Sequence, residues 1–364
     1  MTPDKGPFYA YDFPRWKQPI LRQCLTGQAV TFICPKDPLP SSGVLLLWGM
    51  APAPNGLSPS VSVWRVEDGF LRSVGLSADL ARPLSWVLDQ SGIYYDASRP
   101  SGLEKILAET GFDEALCARA ASLRARIAES GVTKYNMGAK KWQRSEHTRR
   151  VILVPGQVES DASLAFGSPE IRTNMGLLQA VRAANPTAYL LYKPHPDVWA
   201  GLRAAGIDES EAARWSDEIV TETSMGELLT SVDAVHVMTS LAGFEALLRG
   251  KETTCYGQPF YAGWGLTQDK APLPRRTRIL SLDELVAGAL ILYPRYLSRD
   301  GKSLTTPEEA LESLICWRAK NKGRLPWWSR LTRFLIRRME GVTYTRFPWK
   351  AEDAIPCKTR AQRS

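Results

Sequence analysis

The chain reads as an α/β protein of two Rossmann-like halves, each alternating short strands with helices, with a cleft between them. Three observations carry that expectation. Short apolar runs alternate with helical stretches over residues 1–148. A polar, basic and weakly periodic stretch at 132–149 then breaks the alternation, and VILVP (151–155) restarts it. Three strand-like runs also end in loops rich in Gly, Pro or hydroxyl residues: TAYLLY before Lys193, DAVHVM before Thr239 and TTCY before Gly257. In open α/β sheets ligands sit beyond the carboxyl ends of the strands, against helix N-termini. Residues 193–270 are therefore the expected ligand block.

In the first half, AVTFIC (29–34), VLLLWG (44–49), VSVWRV (61–66) and GIYYD (92–96) are expected strands, short, partly β-branched or aromatic, and bounded by Gly, Pro and Ser. SGLEKILAETG (101–111) and FDEALCARAASLRARIAESG (112–131) are expected helices. Ser101 with Glu104 forms a capping-box pattern, and Gly111 and Gly131 are the expected stops. In the second half, helical stretches at 174–185, 224–232 and 240–250 alternate with strand-like runs at 189–193, 234–238 and 253–256, the pattern of βαβ units on a parallel sheet. SLDELVAGALILY (281–293) and TPEEALESLICWRAKN (306–321) read as terminal helices. The resulting division is 1–148, 149–296, terminal helices over 297–322, and a tail over 323–364.

A chain of 364 residues, 44% of them hydrophobic, can build two ordinary cores. It holds no 18-residue apolar span, and its first residues, MTPDKGPFYAYDFPRWK, contain no apolar run of the secretory type. The expectation is a cytoplasmic protein with no membrane-crossing helix. The six cysteines are scattered without a CxxC pair, and the three histidines are dispersed, so no zinc spacing is present. The net charge of +8 is concentrated at one end. From residue 316 onward stand 13 Lys/Arg against 3 Asp/Glu, which leaves 33 basic and 35 acidic residues in the first 315. A near-neutral body argues against nucleic acid as a partner, and the basic object is the tail.

Five segments stand out for chemistry. EDGF (67–70) puts two carboxylates at a strand end, although Asp-Gly alone is also a common turn. KPHP (193–196) holds Lys193 and His195 between stiffening prolines. TSLAGFEALLRG (239–250) opens a helix with Thr239 or Ser240 as N-cap, offers N–H groups to a phosphate, and has Gly243 in its first turn for close approach. PFYAGWGL (259–266) is either a mobile lid, with Tyr261 and Trp264 stacking on a ligand, or a packed aromatic loop. GQVESDAS (156–163) offers Gln157, Glu159 and Asp161 to hydroxyl groups. A cation at 159 and 161 is the weaker alternative there, and no required metal is expected.

Taken together and in order, VEDGFLRSVGL (66–76), GIYYDA (92–97), VPGQVESDAS (154–163), YKPHPDVWAG (192–201) and QPFYAGWGLTQD (258–269) resemble the KpsC-like capsule polysaccharide biosynthesis family. The resemblance runs from about residue 44 to about residue 310. Typical members carry two such modules in tandem, and this chain is similar to one. The resemblance implies a GT-B-like glycosyltransferase architecture of the retaining β-Kdo type. It implies CMP-β-Kdo as donor, with 1–148 holding the acceptor and catalytic side and 149–296 the CMP-sugar. It also implies that the EDGF carboxylates are catalytic, Asp68 the nucleophile in preference to Glu67. Retention fits two displacements through a glycosyl-enzyme.

On that reading Arg72 grips the donor carboxylate or pairs with Glu67, with Ser73 a weaker candidate for a sugar hydroxyl. Gln157, Lys193, His195, Thr239, Ser240, Gly243, Tyr261 and Trp264 line the donor site. Glu245 meets the nucleotide ribose, by analogy with two-Rossmann nucleotide-sugar transferases, or pairs with Arg249. In the tail, Trp327 and Trp328 share one helical side, while Arg330, Arg333 and Arg337 occupy another. Such a helix suits the cytoplasmic face of the inner membrane, and the family's acceptors are lipid-linked. Two alternatives stay open: a transferase of another CMP-activated acidic sugar, and a non-catalytic module working with other capsule assembly proteins.

Overall fold

A computed structural model describes residues 6–73, 82–134, 141–144 and 150–321. The first lobe runs β1 (Phe8–Tyr11), α1 (Gln18–Cys24), β2 (Val30–Ile33), β3 (Gly43–Trp48), β4 (Val61–Asp68), β5 (Ser85–Asp89), α2 (Gly102–Glu109) and α3 (Glu114–Ser130). The second runs β6 (Val151–Pro155), α4 (Ala162–Gly167), α5 (Asn174–Ala184), β7 (Tyr189–Lys193), α6 (Pro196–Trp199), β8 (Glu218–Ile219), α7 (Met225–Ser231), β9 (Ala234–Val237), α8 (Leu241–Leu247), β10 (Glu252–Cys255) and β11 (Gln268–Asp269). The described residues close with α9 (Leu282–Val286), a π-helical continuation Ala287–Leu292, β12 (Arg295–Leu297), β13 (Leu304–Thr305) and α10 (Pro307–Asn321).

The second sheet has the order β11-β10-β9-β6-β7-β8 and is parallel throughout, the Rossmann-like arrangement expected from the βαβ pattern. All five residues of β6 and all four of β9 are buried, as strands covered on both faces must be. The first sheet has the order β13-β12-β5-β4-β3-β1-β2 and is mixed. Its β2, β1, β3 and β4 are mutually parallel, whereas β5, β12 and β13 add on antiparallel.

Local signals set several boundaries, those at Ser101 and Gly131 as expected. The Ser101 hydroxyl accepts from Glu104 N–H at 3.1 Å to start α2, and Asp113 accepts from Leu116 N–H at 2.8 Å to start α3. Gly131 closes α3 with a left-handed φ of 63°. At Ser101 the reciprocal half of the capping box is absent, because the Glu104 carboxylate points to Arg275 and Arg276 instead.

Two elements differ from the sequence expectation. GIYYD is not a strand, and the strand in that region is β5, at 85–89. The Asp89 carboxylate accepts from the N–H groups of Ser91, Gly92 and Gly102, and Asp96 accepts from Ser98 N–H. These side-chain bonds curl the backbone and win over the β-propensity of Ile93, Tyr94 and Tyr95. The C-terminal segment also returns across the molecule. β12 pairs with β5, and α10 lies against α3 through Arg119–Glu308 and Arg126–Glu312, each 2.7 Å. Residues 295–305 thus extend the first sheet between the two helices expected at 281–293 and 306–321, which are both present, so the region 297–322 is not helical throughout.

The lobes share a core. One cluster of buried residues takes Leu84, Val87, Leu103 and Leu107 from the first lobe together with Val151, Leu191, Val235 and Phe244 from the second.

Candidate active site

β4 carries Glu67 and Asp68 to the end of the first sheet, where Asp68 lies opposite Trp86 of β5. That register puts the indole N–H of Trp86 3.0 Å from Asp68 Oδ1. Arg72, four residues on, brings its Nε to 2.6 Å from Oδ2, and its Nη1 donates to Ser73 Oγ. Both carboxylate oxygens of Asp68 are therefore oriented, while its side chain keeps 17% exposure and stays reachable. Arg72 itself is buried and serves Asp68, not Glu67.

Glu67 is set up differently. Its Oε1 accepts from Asp68 N–H at 3.0 Å and its Oε2 from the Tyr95 hydroxyl at 3.2 Å. Gly49 leaves room for this pair, since a Cβ there would stand 3.0 Å from the Tyr95 hydroxyl oxygen and 3.2 Å from Glu67 Oε2. Burial and then the Asp68 charge push the Glu67 carboxyl up to about 7, against the pull of Lys17 and Lys134. Lys17 comes from the turn before α1, with its Nζ 2.9 Å from the centre of the Trp48 ring. Burial pulls its ammonium down to about 8, opposed by the charges of Asp68 and Glu67. Sequence reasoning missed Lys17, Trp86, Tyr94 and Tyr95 as parts of this site. No local pattern marks Lys17 or Trp86, and the two tyrosines had been assigned to a strand.

The second lobe contributes the ends of β6, β7 and β9. Gln157 bridges two of them, its amide donating to Thr239 Oγ1 and its carbonyl oxygen accepting from Thr239 N–H, both at 3.0 Å. Ser240 is the N-cap of α8 and accepts from Ala242 N–H. Lys193 is buried with its ammonium donating to the carbonyls of Thr223 (2.8 Å) and Thr221 (3.5 Å), and burial pulls it down to about 8. His195 caps α6, its Nδ1 accepting from Asp197 N–H at 3.2 Å, which leaves the ring proton on Nε2. Burial and the Lys134 charge drop His195 to about 4, so it is a neutral imidazole at pH 7. Glu159 has both oxygens engaged by the N–H groups of Asn174 and Ile207, and Asp161 caps α4. Among the described residues no group of three or more His, Cys, Asp or Glu is placed to hold a metal ion.

PFYAGWGL takes the packed form. Tyr261 and Trp264 are fully buried, donating to the carbonyls of Ser240 and Phe260. A Cβ at Gly243 would collide with the Tyr261 hydroxyl, so that glycine makes room for a ring inside the protein. Glu245 is buried too, accepting from Lys134 N–H at 2.6 Å, and Arg249 bonds the carbonyls of Glu245 and Val132 instead of the Glu245 carboxylate. The Gly/aromatic loop is thus part of the packed contact between the lobes. Phe70, two residues past Asp68, lies 4.5 Å from Phe260 and 6.0 Å from Phe244, ring centre to ring centre. Arg276 ties the same loop to the first lobe, donating to Glu104, Pro259 O and Ala262 O.

The two lobes feel the same charges. Lys134 acts on both Glu67 and His195, and Asp161 acts on His195, Tyr94 and Tyr95. Trp327, Trp328, Arg330, Arg333 and Arg337 lie outside the described residues. Among the described residues no helix is long and apolar enough to cross a membrane.

These features define a two-lobed, Rossmann-like α/β protein with an oriented acidic pair at a strand end of its first sheet, sharing charges with the loops that follow the parallel strands of the second. The chain belongs to the capsule polysaccharide biosynthesis protein family, whose model matches residues 56–128 and 114–296. It is 48% identical over 261 residues to the capsule polysaccharide modification protein LipA of Neisseria meningitidis, covering 72% of this chain and 37% of LipA. It is 45% identical over 279 residues to the lipopolysaccharide-processing protein LpsZ of Rhizobium meliloti, covering 74% of this chain and 63% of LpsZ. The chain therefore spans about a third of the one relative and under two thirds of the other. Two solved structures of Thermosulfurimonas dismutans KpsC are similar. The β-Kdo 2,7 transferase has a TM-score of 0.70 at 42% identity, covering 86% of this chain and all of that one. The β-Kdo 2,4 transferase has a TM-score of 0.75 at 32% identity, covering 85% and 98%.

Proposed function

We propose that the chain is a retaining β-Kdo transferase of GT-B-like architecture that moves Kdo from CMP-Kdo to a saccharide acceptor in capsule or surface polysaccharide synthesis. The observation that carries this reading is the state of Asp68, an accessible carboxylate with both oxygens aimed by Trp86 and Arg72. In the first displacement an Asp68 oxygen bonds to the anomeric carbon, and the bond to the CMP phosphate oxygen breaks, its electron pair leaving with CMP. In the second, the acceptor hydroxyl attacks the same carbon, the Asp68 ester bond breaks, and the hydroxyl proton passes to Glu67. A carboxyl held near 7 suits that exchange at neutral pH.

On the donor side, the neutral His195 offers its Nε2–H to the phosphate or the sugar carboxylate. Thr239, latched by Gln157, and Ser240, the N-cap of α8, present their hydroxyls. Lys193 supports the site through its field, since its ammonium already holds two backbone carbonyls. No step needs a metal. The likeness to two KpsC transferases that both handle β-Kdo supports the sugar class. The basic, aromatic tail supports work at an anionic membrane face, close to a lipid-linked acceptor.

The test is intact mass spectrometry of the protein incubated with CMP-Kdo and no acceptor. The expected result is a covalent adduct of one Kdo residue on the peptide containing Asp68, absent from Asp68→Ala with its circular dichroism unchanged. Normal turnover by Asp68→Ala would refute the nucleophile, and no adduct or transfer with CMP-Kdo would refute the donor.

A further inference from the structure

We propose that Lys17 is a positioning residue for the acidic pair: its ammonium, seated on the face of Trp48, sets how readily Glu67 gives up its proton. The inference rests on reading Glu67 and Asp68 as the reacting carboxylates.

The geometry is a chain of contacts on one side of the pair. Lys17 Nζ lies 2.9 Å from the centre of the Trp48 ring and 5.3 Å from that of Trp16. The Trp48 ring is 5.1 Å from that of Trp86, whose N–H donates to Asp68. The half-buried ammonium is thus held on an aromatic face next to Gly49, where a Cβ would stand 3.2 Å from Glu67 Oε2, and within the field of two adjacent carboxylates that would repel each other if both ionised with no cation near. Arg72 directs its Nε to Asp68. Glu67 draws its hydrogen bonds from a tyrosine hydroxyl and a backbone N–H, neither of which carries charge. Its cationic support comes from Lys17 and Lys134, on the two other segments that face it. Asp68 and Arg72 face Lys17 from β4 and the loop after it, and Tyr94 and Tyr95 add neutral hydroxyls from the loop after β5.

Removing the Lys17 charge makes a Glu67 carboxylate harder to form. Glu67 then holds its proton to higher pH, and it can take the acceptor's proton only above that point. Arg72 would still orient Asp68, so the loss falls on the proton-accepting step and not on the nucleophile's placement.

The test compares the full-length wild type with Lys17→Met, Lys17→Gln and Lys17→Arg. The Glu67 carboxyl is followed by ¹³C NMR over pH 5–9, its signal assigned by its loss in Glu67→Gln. The expected midpoint rises by roughly half a unit to one unit in the Met and Gln variants and stays near wild type in the Arg variant. The low-pH limb of the transfer rate should move by the same amount. A midpoint unchanged in both neutral variants, with wild-type circular dichroism and melting, overturns the inference. A shifted midpoint in a protein that shows no transfer from CMP-Kdo upholds the role of Lys17 and refutes the proposed function instead.

Discussion

Replacing Phe70 by alanine removes the ring on which the two lobes meet. Phe70 is 4% exposed, and its ring centre lies 4.9 Å from that of Tyr94 in the first lobe and 4.5 Å from that of Phe260 in the second. A buried Phe→Ala change costs about 3–5 kcal/mol, the transfer energy of the ring plus the cavity left behind. The neighbours here belong to two lobes whose relative placement is also tied by Glu104 with Arg275 and Arg276, so they cannot easily collapse into the gap. The loss should therefore reach about 4 kcal/mol. Phe70→Leu keeps most of the volume and should cost about 1.5 kcal/mol. Equilibrium urea unfolding, followed by circular dichroism and tryptophan fluorescence, measures both. Transfer should fall more steeply than stability accounts for in the alanine variant, because Phe70 anchors the chain two residues past Asp68, the last residue of β4. An alanine variant that loses less than about 1 kcal/mol, within the range of ordinary surface changes, would show that this ring does not join the lobes.

Two further outcomes are expected. The folded Glu67 carboxyl sits at about 7, above its ordinary 4.5, so the folded state binds the extra proton and stability falls as pH rises from about 4.5 to 7. Glu67→Gln should flatten that decline, on the order of 3 kcal/mol; an unchanged pH–stability curve would contradict the assignment. Truncation after residue 322 should weaken binding to vesicles of phosphatidylglycerol and phosphatidylethanolamine in a flotation assay while sparing activity on a soluble acceptor. Equal flotation with and without the tail would remove the membrane role.

What the residues reveal without coordinates depends on how far their partners lie along the chain. Ser101, Asp113 and Ser240 start helices through N–H groups two or three residues away, and Gly131 ends one through its own backbone angle. β6, β7 and β9 are legible as short apolar runs between helices, and β10 as a short β-branched one. The position of Glu67 and Asp68 at a strand end is legible too, because β4 is a continuous run up to them. The partners that give this pair its properties are not. Trp86 reaches Asp68 only through the antiparallel register of β4 and β5, and Tyr95 reaches Glu67 only because Asp89 and Asp96 curl a segment whose composition favours a strand.

The Gly/aromatic loop makes the same point. Its composition suits a lid and a packed hub equally, and the choice falls to the space left by Gly243 and to Arg276, which bonds the loop carbonyls while pairing with Glu104, 172 residues away in sequence. Periodicity, caps and strand ends were open to inspection in the primary structure because they are written over a few neighbouring residues. The orientation of Asp68, the raised carboxyl of Glu67, the place of Lys17 and the return of β12 into the first sheet rest on burial and on contacts between distant segments. Those exist only once the chain has packed.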